Sequence, residues 1–302
     1  MRARRVACAV LVVVLGALLA CSSGRAAREP PLPEGTVRFA AYDFSENQVL
    51  VAVYAEALRR AGIPVAVLSG VATREVLLPA LQQGRVDVVV DYLGTAEGFV
   101  RRGDPDARLS AEQLHASLAD GLAPGGVEPL AAAPGEDRNG FAVTTEFAAR
   151  HGVGRLSELS PLARALVFGG PPECPDRPLC LPGLREVYGL AFGEVVSMPS
   201  RAATVEALVA GEIDVGLLET SDAHWYTAPI MLLDDDRALQ PHENVVPLVS
   251  TAVLDRWGEP LRTAVDETSA RLTEQELVAL NRSVEVDGLT PEEAASEWWN
   301  RQ

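Results

Sequence analysis

The sequence predicts an α/β protein of two lobes, each offering strand ends to a shared cleft, and two observations carry that expectation. The first is a duplicated stretch. Residues 80–88 read Ala-Leu-Gln-Gln-Gly-Arg-Val-Asp-Val and residues 207–215 read Ala-Leu-Val-Ala-Gly-Glu-Ile-Asp-Val, so Ala, Leu, Gly, Asp and Val recur in register. In each copy helix formers lead to a Gly placed where a helix ends in the left-handed conformation, and a β-branched run follows at once. The second observation is rhythm: strand and helix signals alternate around each copy, as they do in a parallel sheet. Ligands of open α/β sheets gather where such strands end, here at loops over residues 91–95 and 219–222. Two unrelated helix-to-strand turns would leave similar local signs, but Gly-capped helices alone do not require the five matches.

Taken in order, residues 37–41 read as a strand, and Ser45-Glu46-Asn47-Gln48 reads as a capping box opening a helix. Leu50, Val53, Tyr54, Ala57, Leu58 and Ala61 share one face of that helix, and Gly62 ends it. A strand at 65–68, a helix at 73–83 and a strand at 86–90 that is apolar but for Asp87 complete a β-α-β-α-β run. Residues 109–119 form an amphipathic helix opening on Ser110-Ala111-Glu112-Gln113. Pro/Gly-rich segments at 124–126 and 134–135 surround a short strand at 127–130 and mark the handover to the second lobe.

The second lobe repeats the style of the first. It reads as a strand at 141–144, a short helix ending at His151-Gly152, a helix from Ser157 and a strand at 165–168. A proline- and Cys-bearing loop at 169–182 follows, then a short helix at 184–188, a strand at 195–198, a helix at 202–210 and a strand at 213–218. Strands at 230–233 and 245–249 precede a helical tail with capping boxes at Thr273 and Thr290. The tail's apolar residues need a surface to cover, which predicts a discontinuous first lobe: residues 36–135 and 229–302, with residues 136–228 as the second lobe and a hinge at the crossings.

The N-terminus carries Arg2, Arg4 and Arg5, an apolar run over residues 6–20 and then Leu18-Leu19-Ala20-Cys21. This is an export signal over residues 1–20, too short for an ordinary spanning helix. Its ending resembles a bacterial lipoprotein signal, which would make Cys21 the lipidated first residue and residues 21–35 a Ser/Gly/Pro/Ala tether to the extracytoplasmic face of the membrane. A signal anchor that is never cleaved is the other reading of the run. Losing residues 1–20 removes three arginines and no acid, moving the formal charge from −16 to −19. Nucleic acid is thereby an unsuitable partner. All 26 basic residues are Arg, which excludes Schiff-base and Walker-type lysine chemistry.

With Cys8 in the signal and Cys21 assigned to lipid, Cys174 and Cys180 remain. Outside the cytoplasm such a pair reads as a disulfide, and no Cys-x-x-Cys or clustered His suggests a metal or cofactor. Tyr92 follows a buried strand and precedes Leu93-Gly94-Thr95, so its ring either faces a cation or simply plugs the end of the sheet. Arg177 lies between prolines in the loop closed by the cysteines, either as a rigid partner for a carboxylate or as a surface arginine. Asp234-Asp235-Asp236 could hold an ion but reads first as a solvated loop, because no ligand spacing repeats. No nucleophile, base and metal set is evident among His115, His151, His224 and His242 and their neighbours, so the sequence argues for binding and not catalysis.

Phe44-Ser45-Glu46-Asn47, Tyr92-Leu93-Gly94-Thr95, Phe168-Gly169, Pro172-Glu173, Arg177-Pro178, Leu181-Pro182-Gly183-Leu184, Val187-Tyr188-Gly189 and Leu233-Asp234-Asp235 together resemble the glycine betaine/carnitine/choline-binding proteins of osmoprotectant ABC transporters. The resemblance covers nearly the whole chain from about Val37. It implies a two-lobed, type II periplasmic-binding-protein fold. Its lobes would close on a quaternary ammonium solute and hand it to a membrane permease driven by a cytoplasmic ATPase. Position by position, Tyr92 matches a cage tyrosine, Thr95 a polar contact and Arg177 the carboxylate partner. Asn139, Glu219 and His242 stand where relatives carry further cage tyrosines, and Tyr42 where some carry a lysine. The aromatic cage is then incomplete unless Tyr42, Trp225 or Tyr226 supplies a face, which turns the expectation toward a polar or cationic solute that pairs with Glu219. A ligand sensor for a membrane receptor is the alternative from another class, and an exported enzyme is a third.

Overall fold

The computed structural model describes residues 32–68 and 73–302. Residues 1–20, Cys21 and most of the expected tether lie outside these. The chain first builds β1 (Val37–Ala40), α1 (Ser45–Arg60), β2 (Val65–Leu68), α2 (Arg74–Gln82), β3 (Val88–Tyr92), α3 (Leu93–Arg101), α4 (Ala111–Leu122) and β4 (Val127–Pro129). It continues through β5 (Asn139–Thr144), α5 (Thr145–His151), β6 (Val167–Gly170), α6 (Leu181–Tyr188), β7 (Glu194–Ser197), α7 (Arg201–Ala210), β8 (Val215–Glu219) and β9 (Ile230–Leu232). β10 (Val245–Ser250), α8 (Thr251–Arg271), α9 (Glu274–Glu285) and α10 (Pro291–Arg301) complete it.

The two five-stranded sheets follow one plan: β2-β1-β3-β10-β4 and β7-β6-β8-β5-β9. In each, three parallel strands are joined on one side by an antiparallel pair. The duplicated stretch has the same structural role twice. Gly84 (φ 65°) and Gly211 (φ 71°) end α2 and α7 in the left-handed region. The repeated Asp then clamps the neighbouring strand. Asp87 Oδ2 accepts from the Arg38 amide at 2.8 Å while the Asp87 amide donates to the Arg38 carbonyl. Asp214 Oδ2 accepts from the Val167 amide at 2.8 Å while its own amide donates to the Val167 carbonyl. These clamps use the residues first expected to open each strand, so β3 and β8 start two positions late and place Tyr92 and Glu219 at equivalent ends.

Some local expectations change. The stretch after Tyr92 is no loop, because α3 begins at once at Leu93. Gly94 permits this, since a Cβ there would come within 2.8 Å of the His242 carbonyl oxygen. Ser45 is not a cap: Phe44 holds the N-cap position, and the Ser45 hydroxyl donates to Glu285 instead. The boxes at Ser110 and Thr290 form as read, and Thr273 caps α9 through the Glu276 amide. The helix read from Ser157 is a short 3₁₀ turn. The return expected at residue 229 comes later. β9 pairs with β5, and Leu233 and Leu239 join the second lobe's apolar core, so the chain re-enters the first sheet only with β10.

Tail and first lobe share a core. Leu277, Leu280, Ala294, Ala295 and the fully buried Trp298 pack with Leu50, Val53, Tyr54 and Leu58 of α1, and Tyr54 Oη bonds Ser269 at 2.8 Å. α8 is kinked at Gly258 (φ 55°, ψ −137°), with Pro260 just beyond. Residues 35–302 form one compact unit. The two crossings run antiparallel and are tied together. The Asp137 amide donates to the Glu243 carbonyl, the Val245 amide to the Gly135 carbonyl, and Asn244 Nδ2 to the Ala133 carbonyl. Among the described residues no helix is long and apolar enough to cross a membrane.

Candidate functional site

Two contiguous cavities open where β3 and β8 end. The larger, about 1130 Å³, includes Asn139, Arg177, Arg74, Arg102 and the walls of the proline- and Cys-bearing loop. The smaller, about 350 Å³, includes Phe44, Glu46, Tyr92, Asp137, Asp222 and Asn281. Thr95, Arg201, Glu219 and Glu243 line both and so stand at the junction.

The apolar part of the smaller cavity is a short stack of rings. Phe44 lies between Tyr42 and Tyr92, with centroids 6.0 and 6.2 Å away and interplanar angles of 8° and 27°. Phe44 is 44% exposed and lines the cavity, so part of its ring remains open to the cleft. Tyr92 is held by its hydroxyl, which donates to Glu46 Oε1 at 2.5 Å, and burial next to that carboxylate pushes the phenol well above its ordinary pKa. It stays neutral. Tyr42 supports the stack from behind: its hydroxyl donates to the buried Asp91 at 2.6 Å, and Arg74 sits over its ring and pairs with Asp91.

The polar part is acidic. Glu46, Asp137, Glu219, Asp222, Glu243 and Glu285 line the smaller cavity against one guanidinium, that of Arg201. Arg201 is already committed to Glu219 by an ion pair. Burial first, then the charges of Glu46 and Glu219, push the Asp137 carboxyl well above the usual range, with the Ser221 hydroxyl pulling the other way. Burial also raises Glu219, against the pull of Arg201. Glu243 is pushed up to about 7, chiefly by burial, although Thr95 donates to it from both amide and hydroxyl. Raised carboxylates that crowd an open well favour a positive guest, which would relieve their mutual repulsion.

Of the residues singled out in the sequence, Tyr92, Thr95, Asn139, Arg177 and Glu219 reach the cavities. Asn139 lies opposite Glu219 in the sheet and donates to Gln240 Oε1 at 3.0 Å. Arg177 is exposed and forms no ion pair among the described residues, which leaves its guanidinium available to the larger cavity. The loop that carries it is closed by the Cys174–Cys180 disulfide, with Cα atoms 5.4 Å apart. Two residues are not brought in. Tyr42 is buried beneath Phe44, and His242 belongs to the crossing, its Nδ1 3.1 Å from Glu136 Oε1. Trp225 and Tyr226 line neither cavity: they pack edge to face on each other, and the Trp225 indole donates to the Glu219 carbonyl. The triple aspartate serves the fold, with Asp235 accepting from Tyr188, Leu239 and Gln240, and Asp236 from Ser157.

Sequence reasoning missed Phe44, Glu46, Asp137, Arg201, Asp222 and Glu243 as site residues. Phe44 and Glu46 carried a usable signal, lying in the quoted Phe-Ser-Glu-Asn run, and Asp222 lay in the 219–222 loop already marked as a strand end where a ligand would gather. Asp137 and Glu243 arrive from the hinge, and Arg201 from the first turn of α7.

Residues 35–301 match the family described as the substrate binding domain of ABC-type glycine betaine transport systems. The glycine-betaine-binding protein of Pseudomonas aeruginosa is 26% identical over 276 residues, 87% of this chain and 86% of that protein. A solved structure described as a glycine betaine/carnitine/choline ABC transporter superposes with a TM-score of 0.80 at 20% identity, covering 88% of this chain and 98% of that one. Unliganded YehZ from Escherichia coli superposes with a TM-score of 0.75 at 21% identity, covering 88% and 98%. The fold is thus the two-lobed type II fold of periplasmic binding proteins. This chain belongs to the family of substrate-binding domains of ABC-type glycine betaine transport systems, a family of solute-binding proteins and not of enzymes.

Proposed function

We propose that the chain is the lipid-anchored, extracytoplasmic receptor of an ABC importer and that it captures a small quaternary ammonium solute with net positive charge, of the choline type, for delivery to its permease. The observation that carries this reading is the composition of the smaller cavity: six carboxylates and two aromatic rings against one arginine already paired. A trimethylammonium group offers no hydrogen to donate, so it is held by ring faces and by unbalanced negative charge, and both are present. Tyr92 and Phe44 supply two faces of a cage and the acidic wall replaces the rest. A carboxylate-bearing solute is accommodated at the other end, where Arg177 faces the larger cavity. Tyr92 and Glu219 come from equivalent strands of the two lobes, so a guest touching both favours the closed arrangement.

Anchoring through Cys21 keeps the receptor at the membrane beside its permease. Uptake of labelled choline by cells carrying the chain, by cells lacking it and by cells carrying Cys21→Ala tests the whole reading. Uptake should require the chain, and the Cys21 variant should lose lipid label and membrane association. Choline uptake that is independent of the chain rejects the receptor role. A Cys21→Ala protein that still carries lipid rejects the anchor.

A further inference from the structure

Asp222, His224 and Glu285 present ligand atoms that all lie within 4.8 Å of one another. Asp222 and His224 belong to the loop after β8 in the second lobe. Glu285 is the last residue of α9, whose Leu277 and Leu280 pack in the first lobe's core. The sequence hides this grouping, because Asp222-Ala223-His224 and Glu285 come from opposite lobes.

Three observations mark it as unfinished. Asp222 is 3% exposed, yet its Oδ2 has no hydrogen-bond partner among the described residues. Its Oδ1 accepts from the His224 amide at 2.8 Å and lies 2.8 Å from His224 Nδ1. A buried carboxylate oxygen left without a partner is costly, and native structures rarely tolerate one. Asn281 repeats the pattern on the same cavity wall. It is 4% exposed, one turn before Glu285, and its Oδ1 is also without a partner while its Nδ2 donates to Ser221 and Glu46. Finally, Glu285 ends its helix, where the dipole is negative and a cation is favoured over a carboxylate. No arginine forms an ion pair with Asp222 or Glu285 among the described residues; Arg201 pairs with Glu219 and Arg282 with Asp287.

We propose that Asp222, His224 and Glu285 bind a divalent transition-metal ion and that this ion cross-links the two lobes. One imidazole with two carboxylates suits zinc, with manganese as the harder alternative. Donors about 2.0–2.2 Å from a tetrahedral ion lie roughly 3.4 Å apart; Asp222 and His224 are already this near, at 2.8 Å between Oδ1 and Nδ1, so the adjustment falls mainly on Glu285. Glu285 is exposed and can make that movement from the helix end by giving up the hydrogen bond it accepts from the Ser45 hydroxyl. The site shares Asp222 and Glu285 with the acidic wall of the smaller cavity but uses none of Phe44, Tyr92 or Glu219, so metal binding measured without organic solute is read independently of the choline reading.

The test uses purified protein stripped with a chelator and free of organic solute, titrated calorimetrically with zinc chloride and then with manganese chloride. One zinc per chain should bind and raise the melting temperature. His224→Ala and Glu285→Gln alter a half-buried and an exposed side chain, keep the fold by circular dichroism, and should each weaken zinc at least tenfold. Small-angle scattering should show the wild type contracting with zinc and Glu285→Gln failing to contract. Absence of zinc and manganese binding overturns the site, as does zinc affinity unchanged in both variants, which would mark adventitious binding elsewhere. Zinc binding with unchanged dimensions overturns the cross-link.

Discussion

Replacing Glu219 by Gln keeps the length and shape of the side chain and removes one negative charge from the junction of the two cavities. Two opposite charges about 6 Å apart attract by roughly 3 kcal/mol at an effective dielectric constant of about 20. The cleft weakens this. Glu219 already shares its charge with Arg201, and the two side chains are 26% and 47% exposed, so water screens the pair. A loss of about 1–2 kcal/mol for a bound monocation remains, or roughly five- to thirtyfold in affinity. Glycine betaine carries its own carboxylate, and the variant frees Arg201 to meet it, so its affinity should hold or improve. Isothermal calorimetry with both compounds at mildly alkaline pH reads the two effects, and urea unfolding checks the fold. Choline affinity within twofold of wild type would refute the argument. An equal loss for both compounds would point to a structural role for the Glu219–Arg201 pair.

The remaining predictions concern the ring, the protons and the frame. Tyr92→Ala removes the ring proposed as a cage face and should cost choline about 1–2 kcal/mol by calorimetry; unchanged affinity would place the guest elsewhere. Glu243 is raised to about 7, so between the unfolded carboxyl's pKa of about 4.3 and that value the folded protein holds a proton that the unfolded chain has lost. Its contribution to stability is therefore full at low pH and lost as pH rises through about 7. A cation favours the ionised form, so choline affinity should rise through the same window, by at most about tenfold per pH unit for one proton released. Calorimetry in buffers of different ionisation enthalpy counts that proton, and zero would contradict it. Asp214→Ala orphans the Val167 amide and should cost about 1–2 kcal/mol in urea unfolding. Asp87→Ala should cost more, because Asp87 also holds the Arg38 side chain through Nε and Nη2; equal costs would deny the ion pair any weight.

What the sequence disclosed was whatever is written locally. The Gly of the duplicated stretch answers to a left-handed helix end just before the strand that follows, whereas its Asp, read as part of that strand, clamps a neighbouring strand far back in the chain, at Arg38 and Val167. The Ser110 and Thr290 boxes close on residues three positions away and were equally legible. α3 was not. Leu93-Gly94-Thr95 reads as a turn, but its first amides find acceptors on the crossing segment, Gly94 on the His242 carbonyl and Thr95 on the Glu243 carboxylate. Ser45 misled for the same reason, since its hydroxyl partner lies 240 residues on. The site divides likewise. Tyr92 and Glu219 end their strands and Asp222 lies in the loop just after, so all three could be read there, whereas Asp137 and Glu243 gain meaning only when the hinge folds them around one cavity.

On the proposed reading, an acidic, half-aromatic well selects positive charge. A side-by-side titration of the wild-type protein with choline and with glycine betaine, at mildly alkaline pH and low salt, puts that selection to the test. Both carry the trimethylammonium group, so the comparison isolates the carboxylate. With six carboxylates against one paired arginine around the smaller cavity, choline should bind at least about tenfold more tightly, and added salt should narrow the gap. Glycine betaine binding as tightly as choline, or more tightly, would contradict the account.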